Sequence, residues 1–272
     1  MALEKIGDLG VAEVVSKIQS ASQTSAVLDP ALILMIPTLG DYGLDNVNCD
    51  KCGNSGQIVW QEDGIVHSRE CECMAMRRSL RRITNSGMED MLERYTFDNY
   101  ETPNEYRKLI KQQAINFTKD DKGWFYIFGQ SGSGKTHICT AICKSFIESG
   151  VETYYMNWRD ESVGLKASVN DDAVYAKKMN KLKSVPVLYI DDFLKAGSTS
   201  ADVKLAFEIL NGRYNNRKLR TIISCELTLD GLFDIDEAIA GRIYERSKKL
   251  NYMIKAPKEN WRLRDIKKHK DE

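Results

Sequence analysis

The chain has 272 residues, 42% hydrophobic and 29% charged, enough to bury one good core with material left for a smaller module. Lys plus Arg and Asp plus Glu both number 39, so no global charge draws it to nucleic acid, and any such contact must be a local patch. The start Met1-Ala2-Leu3-Glu4-Lys5 lacks a basic region followed by an apolar core and no run approaches the roughly 18 apolar residues of a membrane span, so a soluble, cytoplasmic protein is expected.

In chain order, residues 1 to 40 read as a short amphipathic helix, a polar loop from Ser20 to Ser25, and an apolar run from Ala31 to Ile36. Four of the seven cysteines then crowd between residues 49 and 73, a pattern that suits metal ligation in a reducing compartment better than a disulfide framework. Cys49-Asp50-Lys51-Cys52 and Cys71-Glu72-Cys73 flank the alternating segments Ile58-Val59-Trp60 and Ile65-Val66-His67, as in a zinc ribbon whose knuckles sit on a β-hairpin. Cys49, Cys52, Cys71 and Cys73 would close a structural zinc site, although the second pair is C-x-C and His67 is near enough to replace one thiol. The basic segment Met76 to Arg82 is compatible with a helix, either solvated or facing phosphate. Glu93 to Tyr100 gathers aromatics ahead of a polar helix from Glu105 to Thr118.

The strand Trp124 to Phe128 leads into Gly129-Gln130-Ser131-Gly132-Ser133-Gly134-Lys135-Thr136 and then the helix beginning His137-Ile138. This G-x-x-x-x-G-K-T spacing is a P-loop, in which backbone N–H groups and a helix N-terminus receive a polyphosphate. Gly129, Ser131, Gly132, Ser133, Gly134, Lys135, Thr136 and His137 are the candidate nucleotide contacts, with Lys135 on the β- and γ-phosphates and the Thr136 hydroxyl on Mg²⁺. A second strand covers Glu152 to Met156, followed by a charged stretch from Arg159 to Asp172 and a helix with Val174, Met179 and Leu182 on one side. Val185 to Ile190 is apolar enough for a buried parallel strand and ends in Asp191-Asp192, a Walker B pattern. Asp191 would hold the Mg²⁺ shell and Asp192 would orient the attacking water. Ala201 to Asn211 carries Val203, Phe207 and Leu210 at helical spacing, and strands follow at Arg220 to Ser224 and near Leu250 to Ile254. Strands alternating with helices predict an α/β fold, a mainly parallel sheet between helical layers.

The P-loop, the V-P-V-L-Y-I-D-D strand, T-I-I-S-C-E-L, G-R-I-Y-E-R and N-W-R-L-R, in that order, resemble the AAA+ replicative helicase loaders of the DnaC/DnaI type, in particular their phage-encoded members. The resemblance covers about residues 90 to 266, and the cysteine module is similar to the zinc-binding N-terminal part of DnaI-like loaders. It implies a P-loop AAA+ ATPase core over 96–272, a basic linker helix over 76–95, and a zinc-ribbon helicase-interaction module over 1–75. It further implies ATP, Mg²⁺ and Zn²⁺ as cofactors, an adenine pocket near Thr96, Phe97 and Tyr100, Arg246 as an arginine finger acting on a neighbouring subunit, and Arg262 as a phosphate sensor. Lys135, Asp191, Asp192 and Arg246 would then be the catalytic set. One departure stands out: the strand after Walker B usually ends in a polar sensor such as Asn, whereas here Ser224 or Glu226 must serve, and hydrolysis is expected to be slow.

The resemblance implies an ATP-dependent loader that places a replicative hexameric helicase on single-stranded DNA and self-associates. Lys195, Arg217, Lys218 and Arg220 are the candidate strand contacts. The alternatives are a transposition-helper ATPase of the IstB type and a zinc adaptor with a purely structural nucleotide.

Overall fold

The computed structural model describes residues 47–62, 65–85, 88–195, 197–248, 252–258 and 260–261. The readings made for residues 1 to 40 and for Arg262 fall outside these. Two compact units divide between Arg81 and Arg82.

In the first unit, β1 (Gln57–Glu62) and β2 (Ile65–Glu70) pair antiparallel, with Trp60 opposite His67, and α1 (Cys73–Asn85) begins at the last cysteine of the cluster. The basic run on α1 is only partly solvated: Arg81 is exposed, but Arg77 is not. Arg77 is fully buried and donates to the Val47 carbonyl and to Asn54 Oδ1, and Arg78 pairs with Glu70.

The second unit is built on five parallel strands in the order β4-β5-β6-β3-β7: β3 (Trp124–Phe128), β4 (Thr153–Asn157), β5 (Val187–Asp191), β6 (Arg220–Cys225) and β7 (Met253–Lys255). Every residue of β5 is buried, as are four of the five in β3, which is why both read as unbroken apolar runs rather than alternating ones. The connecting helices are α2 (Glu89–Arg94), α3 (Glu105–Lys119), α4 (Lys135–Glu148), α5 (Trp158–Ala167), α6 (Asp172–Ser184), α7 (Ser200–Tyr214), α8 (Leu229–Phe233) and α9 (Glu237–Ser247). Segment 76–95 thus holds most of α1 and all of α2 rather than one linker helix.

Several helices carry side-chain N-caps. Asn104 accepts from the Arg107 N–H, Asp171 from Val174 and Asp236 from Ile239, while Thr199 and Asp202 form a reciprocal capping box. Helix α5 falls where a charged stretch was expected. Its signal was the Asn157 cap with Asp160 and Glu161 in the first turn, and its buried face is Trp158, Ser162 and Leu165. On α6, Met179 and Leu182 enter the core as expected, but Val174 is 42% exposed. On α7 the core face is Leu205, Ala206, Ile209, Leu210 and Arg213; Val203 and Phe207 are only half-buried, and Phe207 lies beneath the Arg242 guanidinium at 4.7 Å.

Arg213 is a buried cation held without a carboxylate. It is fully buried, and its guanidinium donates to the Thr221 hydroxyl (3.0 Å) and to the carbonyls of Leu182 (2.8 Å), Val185 (2.9 Å) and Arg220 (2.7 Å). Burial, reinforced by the charge of Arg246, pulls its pKa down to about 9. The fork ties the end of α6 to the starts of β5 and β6. Arg213→Ala would orphan buried acceptors at about 1–3 kcal/mol each, so urea unfolding is expected to show a loss of at least about 3 kcal/mol. Arg213→Lys presents its donors from one point and is expected to recover less than half of that.

Candidate functional site

The parallel register brings the expected acids and the glycine loop to one edge. Asp191 ends β5, Ile190 pairs with Ile223, and Ser224 pairs with Ile127, two residues before Gly129, so all three strands deliver their C-terminal ends together. In open parallel sheets this edge, at the point where the strand order reverses, is where ligands bind.

The loop from Gly129 to Gly134 is shaped by backbone that only glycine adopts freely, with φ of 78° at Gly132 and 93° at Gly134. Gly134 is also the N-cap of α4, and being glycine it offers no capping side chain. The first N–H groups of α4 therefore keep their donors for a ligand, where the helix's partial positive charge favours an anion. Lys135 is 6% exposed, and its ammonium donates to the carbonyls of Gly129 (2.7 Å) and Gln130 (2.8 Å). Burial lowers its pKa, opposed by the charges of Glu226, Asp192 and Asp191. Ser133 is buried with its hydroxyl on the Gln130 carbonyl, Thr136 is half-buried, and Ser131 is exposed at the tip.

Asp191 is 7% exposed and accepts from the Ser224 hydroxyl and, at 3.3 Å, from the Tyr155 hydroxyl. Burial raises its pKa, and the Ser224 hydrogen bond works against that rise. Ser224 is fully buried and donates its hydroxyl to Asp191. Glu226 is exposed, 3.8 Å from the Lys195 ammonium, which also binds Asp192 at 3.2 Å. Asp192 has φ 53°, a left-handed conformation uncommon for a non-glycine residue.

Beside the loop, His137 stacks on Tyr95 (4.8 Å between ring centroids), meets the edge of Tyr100, and lies within hydrogen-bond reach of the Thr96 carbonyl and Asn99 Oδ1, 3.1 Å each. Burial lowers the His137 pKa. Phe97 is half-buried in the same turn. Two residues that sequence reasoning missed also touch the loop. Arg107, 2% exposed on α3, reaches the Ser133 carbonyl, and Trp261 donates its backbone N–H to the Gly132 carbonyl. No spacing rule announces either, because both approach from elements distant in sequence.

Other expected residues are not brought to this edge. Arg246 is 6% exposed, its guanidinium folded onto the carbonyls of Arg217 (3.2 Å) and Leu219 (3.4 Å), 5.7 Å from the ring of Trp124 at the start of β3. It lies at the opposite end of the sheet from the loop and is not presented as a free guanidinium. The four basic residues expected to line a DNA groove also separate. Lys195 sits by Asp192, whereas Arg217, Lys218 and Arg220 lie at or before the start of β6, with Arg220 on the Asp120 carbonyl and over Phe146.

In the first unit, the thiols of Cys49, Cys52, Cys71 and Cys73 lie within 4.8 Å of one another. Cys49 and Cys71 sulfurs are 3.7 Å apart, as are those of Cys52 and Cys73. Four sulfurs about 2.3 Å from one ion at tetrahedral angles would be about 3.8 Å apart, so the donor set fits a closed structural zinc site. His67 instead stacks on Trp60 at 5.4 Å. Asn54 braces the first knuckle, its Oδ1 accepting from the Cys49 N–H and from Arg77.

A family profile described as IstB-like ATP binding protein matches residues 56–269. The uncharacterized protein YqaM of Bacillus subtilis (strain 168) is 32% identical over 242 residues, 82% of this chain and 74% of that protein. The phage-like element PBSX protein XkdC of the same organism is 29% identical over 73% of this chain and 79% of its own length. The replicative helicase loader DnaC of Escherichia coli (strain K12) is 22% identical over 70% of this chain and 78% of its own length. Among solved structures, DnaI superposes with TM-score 0.51 at 20% identity, covering 63% of this chain and 92% of DnaI. The DnaC helicase loader gives TM-score 0.52 at 22% identity, covering 57% of this chain and 94% of that one. At these identities the structural likenesses establish the fold alone, a parallel sheet between helices, in agreement with the expected α/β class. Among the described residues no helix is long and apolar enough to cross a membrane. Glycine loop, Walker B acid, sheet order and profile converge, and the chain belongs to the IstB-like ATP binding protein family, as an AAA+ domain of the IstB/DnaC type.

Proposed function

We propose that this chain is an ATP-hydrolysing loader that binds a replicative hexameric helicase and helps place it on single-stranded DNA. The observation that carries the nucleotide part is the convergence of the glycine loop, Lys135 and Asp191 at one sheet edge. In this reading Gly129 to Thr136 hold the phosphates, with Phe97 and His137 beside the base, and Thr136 and Asp191 hold Mg²⁺. The ion would neutralise charge developing on the transferred phosphoryl group. Asp192 orients water, and Ser224 and Tyr155 keep Asp191 in place. Arg262 senses phosphate. Arg246 acts on a neighbour's nucleotide only after leaving the Arg217 and Leu219 carbonyls, so turnover is slow until subunits assemble.

The loader part is supported by the DnaC relatives, which are replicative helicase loaders, and by the four-thiol cluster, which suits a zinc-bearing module within residues 1–75 as the helicase-gripping part. The family's IstB name keeps the transposition-helper reading as the second candidate. Co-purification with a hexameric helicase, lost on removal of residues 1–75, together with ATP turnover stimulated by single-stranded DNA, is expected of the loader. Turnover without helicase capture by the full chain would instead favour the transposition helper.

A further inference from the structure

The glycine loop is gripped from outside by two elements remote in sequence. Asn260 occupies the space above Gly132, since a Cβ there would lie 2.1 Å from Asn260 Oδ1. The next residue, Trp261, donates its backbone N–H to the Gly132 carbonyl at 2.9 Å. Its indole ring covers the Arg107 guanidinium, 4.1 Å from Arg107 Cζ to the ring centroid. Arg107 in turn reaches the Ser133 carbonyl and the Tyr100 hydroxyl, each at 3.5 Å.

These contacts fall on consecutive peptide groups. Cis peptide bonds are absent among the described residues, and in a trans peptide the C=O and the following N–H point in opposite directions. A bond that holds the Gly132 carbonyl outward therefore turns the Ser133 N–H inward, and one that holds the Ser133 carbonyl turns the Gly134 N–H the same way. We propose that Trp261 and Arg107 are positioning residues for the nucleotide: by pinning two successive carbonyls they aim two loop amides at a bound di- or triphosphate. The indole face keeps the guanidinium in place and dry, and the guanidinium fixes where the Trp261 backbone arrives. This inference rests on the reading of the loop as the ATP site and adds to it a segment beyond β7 whose job is to hold the loop's amides in place before a ligand arrives.

The test is equilibrium binding of labelled ATP with Mg²⁺ to the full chain, at a temperature where circular dichroism shows each variant folded. Trp261→Pro removes the N–H and the ring together, and Arg107→Met removes the fork while keeping bulk. Each is expected to weaken binding about tenfold, the scale of one or two hydrogen bonds. Trp261→Phe, which keeps the N–H and an aromatic face, is expected to stay within about threefold of the parent. Arg107→Lys, which keeps charge without the fork, replaces Arg107→Met if the latter does not fold, and is expected to fall between the two. A merely structural role would lower the melting temperature of Trp261→Pro and Arg107→Met while leaving the affinity of the folded protein unchanged, and that result overturns the proposal. Absence of ATP binding by the parent chain removes it together with the nucleotide reading, whereas parent-like binding by folded variants removes it alone.

Discussion

Metal removal by a chelator is expected to unfold the cysteine unit while the parallel-sheet unit survives. Among the described residues, those from 47 to 81 bury little apolar surface. On the hairpin, Trp60 is 38%, Ile65 62% and Val66 38% exposed, and the unit's buried apolar side chains among the described residues are Cys71 and Met74. Four thiols confined within 4.8 Å of one another form a donor set that one tetrahedral ion can close. A bound zinc ion converts them to thiolates and supplies on the order of 10 kcal/mol in comparable small modules. Limited proteolysis of the full chain should show new cleavage between residues 47 and 81 after chelation, reversed by zinc, with protection retained from Trp124 onward. Cys71→Ser should behave like the chelated protein. An unchanged cleavage pattern, with less than one zinc per chain as purified, would rule the ribbon out.

The second large effect is expected from Lys135→Ala. The ammonium is held by two loop carbonyls at the mouth of α4 and already sits among three carboxylates whose charges oppose its desolvation. A phosphate would be received by a charge already in place, without a side chain having to be ordered. Losing a charge-assisted bond of about 1.5–3 kcal/mol weakens ATP binding about 10- to 100-fold, and turnover should fall below detection. Calorimetric titration of parent and variant, with matching circular dichroism, checks this. Binding by Lys135→Ala within about threefold of the parent would place the nucleotide elsewhere.

The sheet, the glycine loop and the cysteine pairs were legible because each is a local pattern whose spacing is set by geometry: a buried run for a parallel strand, a fixed interval for a phosphate loop, paired thiols for a tetrahedron. What escaped depends on tertiary approach. Helix α5 was hidden by its charge and by Gly164, although Asn157 marked its start. The basic run on α1 read as either solvated or phosphate-facing, yet Arg77 is among the fully buried side chains, because a guanidinium can be internal wherever carbonyls and amides meet its fork. Arg213 is a second example, indistinguishable in sequence from a surface helix charge. Ser224 read as a candidate sensor because it sits where a strand ends; its hydrogen bond to Asp191 comes from the β5–β6 neighbourhood and no local pattern shows it. The Trp261 and Arg107 contacts join segments 154 residues apart, and nothing in either segment alone announces the other.

On this reading a nucleotide's phosphates are held between the loop amides, Lys135 and the acid at the end of β5. Hydrogen exchange of the full chain with and without ATP and Mg²⁺ reads this site directly. Saturable slowing confined to amides from Ser131 to His137 and to the Asp191-Asp192 segment is the predicted result. Unchanged exchange there at millimolar ATP would contradict it.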